Sequence, residues 1–87
     1  MNTPSLKGLK VDQSLDVRGL PSPAGYHQAL EQLQTMKEDA ILELHIDEGE
    51  PLSAIPFALR AEGHEILISE PAKSGVRFLI RKRSLIT

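Results

Sequence analysis

Ser22 and the three histidines, His27, His45 and His64, have the first claim to chemistry in this sequence. They stand almost alone, because the chain has no cysteine. That removes disulfides, thiol nucleophiles and every thiolate metal site. Ser22 is followed by Pro23, and a hydroxyl residue before a proline signals a helix start. A serine nucleophile needs a general base within reach and, in the commonest arrangement, a Gly-x-Ser-x-Gly elbow. No such elbow surrounds Ser22, and His27 lies five residues on, turned around the helix. The expected duty of Ser22 is therefore an N-cap. The histidines fall on three different elements with no His-x-x-x-His spacing, so they are expected at the surface and no metal or other cofactor is expected.

A second candidate is electrostatic. Arg18, Lys73, Arg77, Arg81, Lys82 and Arg83 could gather into a basic patch for RNA or an acidic partner. Against this, the formal net charge is −2, so a solvated edge is the expected reading. Tyr26, Phe57 and Phe78 are the only aromatic residues, which leaves few platforms for base stacking. Phe57 is expected to flank the core.

Six elements must position these residues. Leu15 and Val17 alternate with Ser14 and Asp16 as a short strand. Gly19 to Pro23 breaks it, and Tyr26, Ala29, Leu30, Leu33 and Met36 continue at helical spacing over about 23–36. From Ala40 to Asp47, Leu42, Leu44 and Ile46 face one way and Glu43 and His45 the other. A turn at 47–51 leads to a second helix over about 53–62, with Ser53 as cap, Pro56 in its first turn and Gly63 as its stop. Strands over 64–70 and from Val76 to Arg81 follow, the first with Ile66 and Ile68 on one face. The order is β-α-β-α-β-β. A helix between the first two strands demands a parallel crossover, and a turn between the last two makes them antiparallel. Only one sheet face is consistently apolar, so the expected fold is an α/β two-layer sandwich: a mixed four-stranded sheet with two helices on one face. The other face carries Asp16, Glu43, His45, Arg77 and Arg81, whose opposite charges can pair across strands.

Eighty-seven residues make one domain, with 40 % hydrophobic and 25 % charged residues in an ordinary globular balance. Residues 1–11 are expected to be a flexible tail, 12–83 the domain, and 84–87 a second tail. No apolar run approaches the roughly twenty residues of a membrane span, and the start has no apolar h-region. No membrane association is expected, and the cytoplasm is the default location.

The segment Leu15-Asp16-Val17-Arg18-Gly19-Leu20-Pro21-Ser22-Pro23 resembles the signature of the SirA/TusA family, in which Gly-Leu-x-Cys-Pro-x-Pro opens the first helix. Asp47 and its turn resemble the family's Asp-Pro loop. Ile55-Pro56 is similar to its Ile-Pro, Gly63-His64 to its Gly-His, and residues 75–82 to its last strand. The resemblance implies a sulfur carrier that takes persulfide from a cysteine desulfurase or rhodanese-like protein and passes it on, as in tRNA thiolation and sulfur oxidation. That chemistry needs a thiolate, favoured at a helix N-terminus. Here Ser22 occupies the cysteine position, and Ala24-Gly25 stands where the family has a residue and then proline. No catalytic residue is assigned.

Three readings follow from that departure. The first is a binding or regulatory module that docks to sulfur-relay proteins without carrying persulfide. The second is a Cys-to-Ser form of an active sulfurtransferase, and two departures rather than one favour the first. The third is an RNA-binding module, because the fold is also similar to the C-terminal domain of translation initiation factor three. The resemblance places partner contact at Arg18, Gly19, Leu20, Pro21, Ser22 and Pro23.

Overall fold

A computed structural model describes residues 10–84. The expected tails at 1–11 and 84–87 lie, apart from Lys10, Val11 and Ser84, outside the described residues. The elements are β1 (Gln13–Asp16), α1 (Ser22–Gln34), β2 (Ile41–Ile46), α2 (Glu50–Ala61), β3 (Glu65–Pro71) and β4 (Val76–Arg81). They form one mixed sheet in the order β1-β2-β4-β3. β1 runs parallel to β2, with α1 as the crossover, and β4 is antiparallel to both β2 and β3. The expected architecture is the observed one. No helix among the described residues is long and apolar enough to cross a membrane.

Alternation along the strands decides where the core sits. Leu42, Leu44 and Ile46 of β2 and Phe78 and Ile80 of β4 turn one face of the sheet toward Ala29 and Leu33 of α1, Met36 just beyond its end, and Ile55 and Leu59 of α2. Val17 closes this cluster at the end of β1, and Leu15, Ile66 and Val76 pack against it half-buried. Apolar burial of this kind contributes about 25 cal/mol per Å2 and is the main source of stability in a chain without cross-links.

Ile68 departs from the expected core. It was expected on one face with Ile66, but a β-bulge between them changes the register: Ile66 pairs with Ile80, whereas Ile68 pairs with Leu79 on the far face. Leu30 is likewise only half-buried. The far face is correspondingly less polar than its alternation implied, since Leu79 and Ile41 are buried there. In register beside Leu79 stand Glu43 and Ile68, and Arg77 and Arg81 follow on the same face. Long side chains lying over an apolar residue bury it with their stems. The expected cross-strand pairing is present: Arg77 binds Glu43 at 2.5 Å and Glu70 at 2.6 Å.

The second helix also begins earlier than expected. It starts at Glu50, with Gly49 as N-cap and Pro51 in its first turn. Ser53 is therefore inside the helix, and Pro56 sits in its interior, not in its first turn. Proline has no N–H, so the carbonyl of Leu52 loses its helical donor. The helix tolerates this because Ile55 and Leu59, on either side, are anchored in the core at 1 % and 0 % exposure. Phe57 points the other way and is 74 % exposed, not a flank of the core.

Candidate functional site

The loop from Val17 to Pro21 joins β1 to α1, and every turn of it has a local cause. The N–H of Val17 donates to the carbonyl of His45 at 2.9 Å, carrying the β1–β2 ladder one residue past the strand. The N–H of Leu20 donates back to the carbonyl of Val17 at 3.2 Å, which closes the reversal. Gly19 at its apex has φ +89°, a conformation that favours glycine. Its N–H donates to Oδ2 of Asp47 at 2.6 Å. The loop is thus pinned to the β2–α2 turn by the residue that resembles the family's Asp.

Arg18 was expected to contact a partner; in the fold it also has a structural duty. Its Nε donates to Oδ1 of Asp16 at 2.9 Å, its second guanidinium nitrogen to Oδ2 at 2.6 Å, and the other to the carbonyl of Ser74 at 3.1 Å. Arg18 therefore ties the end of β1 to the β3–β4 turn. The hydrogen bond from its side chain, then that from its backbone, holds the Asp16 carboxyl well below the usual carboxylate range, and Asp16 in turn raises the Arg18 guanidinium.

Ser22 is not the N-cap. Pro21 occupies that position, in extended backbone and without a side-chain cap, and Ser22 is the first helical residue. Its hydroxyl instead donates to Oε2 of Glu50 at 2.9 Å. Glu50 is the first residue of α2, so the two helix N-termini meet at this hydrogen bond. Positive helix ends favour a nearby anion, and the carboxylate of Glu50 supplies it. A thiolate at position 22 would face that carboxylate, and like charges disfavour each other's ionisation. Gly25 explains how the helices come so close. A Cβ on Gly25 would lie 3.0 Å from Cδ1 of Ile55 and 3.4 Å from Val17. The N–H of Gly25 donates to the carbonyl of Pro21 at 2.9 Å, a bond that a proline at 25 could not make.

Of the residues expected to meet a partner, Arg18, Gly19, Pro21 and Pro23 are exposed, Ser22 is half-buried, and Leu20 is half-buried with its side chain packed against the core. They form one continuous loop and helix start. A shallow groove of about 540 Å3 adjoins it, lined by Asp47, Glu48, Pro51, Lys73, Ser74 and Gly75. Glu50 is the residue that sequence reasoning missed, and the contact of Asp47 with Gly19 was not foreseen. A signal for the helix start existed, because an acidic residue followed by proline marks a first helical turn at Glu50-Pro51, but no local pattern places that turn beside Ser22.

The remaining candidates disperse. Four of the six cations are paired within the chain: Arg81 with Glu65, Arg83 with Glu38, and Arg77 and Arg18 as described. Nζ of Lys82 donates to the carbonyls of Leu33 and Met36 at the end of α1, at 2.7 and 2.9 Å. His27 is exposed and His45 half-buried on the open sheet face, but His64 is not a surface histidine. It is buried, and its Nδ1 accepts the N–H of Arg83 at 3.1 Å. Burial first, then the charge of Lys82, lowers the pKa of its imidazole. Among the described residues no three His, Asp or Glu side chains are grouped to hold a metal ion.

A four-stranded mixed sheet under two helices, with a strand-to-helix loop that presents position 22, defines a class of small two-layer α/β domains. The chain belongs to the family described as Sulfurtransferase TusA, whose model matches residues 13–82. No curated protein matches the chain.

Proposed function

We propose that this chain is a docking or regulatory member of its family, which binds sulfur-relay proteins of the cysteine desulfurase or rhodanese-like kind without carrying persulfide. The observation that carries the reading is the hydroxyl of Ser22, at the family's cysteine position, donating to Glu50. An alcohol oxygen cannot hold transferable sulfane sulfur, and the Glu50 carboxylate already supplies an anion at the helix ends, facing the place where a thiolate would lie. The protein surface from Arg18 to Pro23 remains available for contact, and the cytoplasm is the setting in which such partners would be met.

The Cys-to-Ser reading has less support. Position 25 is fitted to glycine by its approach to Ile55, so the departure from the family extends beyond the single atom that a serine replacement would change. RNA binding has less support still, since Arg18, Arg77, Arg81 and Arg83 of the suggested patch are paired with carboxylates within the chain.

Two measurements on one sample test the proposal. The protein is incubated with a cysteine desulfurase, its pyridoxal cofactor and cysteine. Its intact mass should stay unchanged, while calorimetry with the same desulfurase or a rhodanese-like protein should show binding that Arg18→Glu weakens. A reductant-sensitive gain of sulfur mass, or an absence of binding to both partner types, overturns it.

A further inference from the structure

The exposed residues of α2 are Glu50, Ser53, Phe57, Arg60 and Ala61. At 100° per residue they fall within an arc of about 100°, a single stripe along the outside of the helix. Phe57 stands at its middle and is the one large hydrophobic side chain exposed among the described residues. A lone exposed apolar residue is common and carries nothing by itself. The charges at the two ends of the stripe give it meaning. Glu50 and Arg60 lie about 15 Å apart along the helix, and neither has an ion-pair partner among the described residues.

We propose that this stripe is a self-association surface, on which two copies of the chain pair through antiparallel α2 helices. A twofold axis opposite position 55 sets Glu50 of one copy against Arg60 of the other, twice over by symmetry. The same register sets Phe57 against Ser53, because that pair is also centred on position 55. Ser53 is small, which leaves room for each ring to lie on the facing helix. The stripe thus carries both halves of every contact it needs, and that self-complementarity selects a second copy over a different protein. One contact opposes it: Glu48 comes opposite Glu62. The Glu62 carboxylate is drawn toward its own α1, where it accepts the Tyr26 hydroxyl at 3.1 Å. A helix of twelve residues is about 18 Å long, too short for the roughly 1,200 Å2 of a standard interface, so the dimer is weak and exchanges quickly. The inference does not rest on the sulfur-relay reading. Glu50 also holds Ser22, so dimer formation would cover the site proposed for partner contact.

Sedimentation equilibrium tests it, with amide NMR to locate the contact. The average mass should rise from 9.6 kDa toward twice that value as protein goes from about 10 μM to about 1 mM, with shifts confined to residues near 50–61. Phe57→Ser and Arg60→Glu should each keep the chain monomeric at the top concentration, with folded spectra. The double variant Glu50→Arg, Arg60→Glu exchanges the charges and should restore the dimer. A mass of 9.6 kDa throughout, a dimer that survives Phe57→Ser, or a folded double variant that stays monomeric overturns the proposal.

Discussion

At position 22 a hydroxyl stands where persulfide chemistry would need a thiol. The helix N-terminus there would lower the pKa of a thiol, as the sequence leads one to expect. Glu50, one hydrogen bond away, acts in the opposite direction. Both influences can be read from Ser22→Cys in a pH titration of alkylation rate. Adding Glu50→Gln should then lower that thiol's pKa by about one unit, because a like charge has been removed. An unchanged pKa would mean that Glu50 does not face position 22. Gly25 belongs to the same argument. Whatever the second proline does in the family signature, this chain uses the position to bring α1 against Ile55.

At the scale of elements, the site depends on three turns that touch one another: Val17 to Pro21, Asp47 to Gly49, and Ala72 to Gly75. Asp47 links the first to the second, and Arg18 links the first to the third. Gly75 has φ +85°, and a Cβ there would collide with the carbonyl of Ile46, whereas Gly19 has φ +89° and open space around it. The two glycines therefore separate backbone strain from close approach. Gly19→Ala should cost about 1–2 kcal/mol, the usual cost of a left-handed conformation for a residue with a Cβ. Gly75→Ala should cost clearly more, since the β3–β4 turn must also move away from β2. Equal losses in urea denaturation would show that the turn yields freely. These turns are also where the sequence misled. Pro56 suggested a late start for α2, but core anchoring of Ile55 and Leu59 outweighed the missing hydrogen bond.

Across the whole molecule, the C-terminal end of β4 is fastened to the rest of the domain by acids and a histidine. Glu38 accepts the N–H of Ser84 at 2.9 Å and Nε of Arg83 at 3.2 Å, and Nδ1 of His64 accepts the N–H of Arg83. Glu38, Glu62, Lys82 and Arg83 surround the imidazole. Burial and Lys82 lower its pKa against the pull of Glu62 and Glu38, and the hydrogen bonds of Ser84 lower that of Glu38. The sign is the same for both groups. A folded-state pKa below the unfolded value means that the unfolded chain binds more protons, so stability rises with pH. The His64 contribution is present above its ordinary 6.5 and is lost as pH falls below it. The Glu38 contribution follows below its ordinary 4.5. Stability to urea should therefore decline from pH 7.5 to 5.5, and His64→Gln should flatten that decline. A decline of the same slope in the variant would assign it to other groups.

Several properties of this protein follow from sequence alone, because each depends on residues close together along the chain. Alternating apolar residues define β2 and β4, a 3.6-residue period defines α1, and the lengths of the connections dictate parallel and antiparallel pairing. The signature around Gly19 and Ser22 declared the family, and the missing cysteine ruled out persulfide transfer at that position. Tertiary structure decided what depends on residues far apart. The bulge that moves Ile68 to the far face requires β4 as a partner. The partners of Arg18 lie in a turn fifty-six residues away as well as two residues back. Ser22 meets Glu50 only because β1 and β2, in register as parallel neighbours, deliver their following loops to the same end of the sheet. His64 looked like any surface histidine until the chain returned to lay Arg83 over it. In each case local pattern specifies the element, and packing alone chooses which side chains share a place.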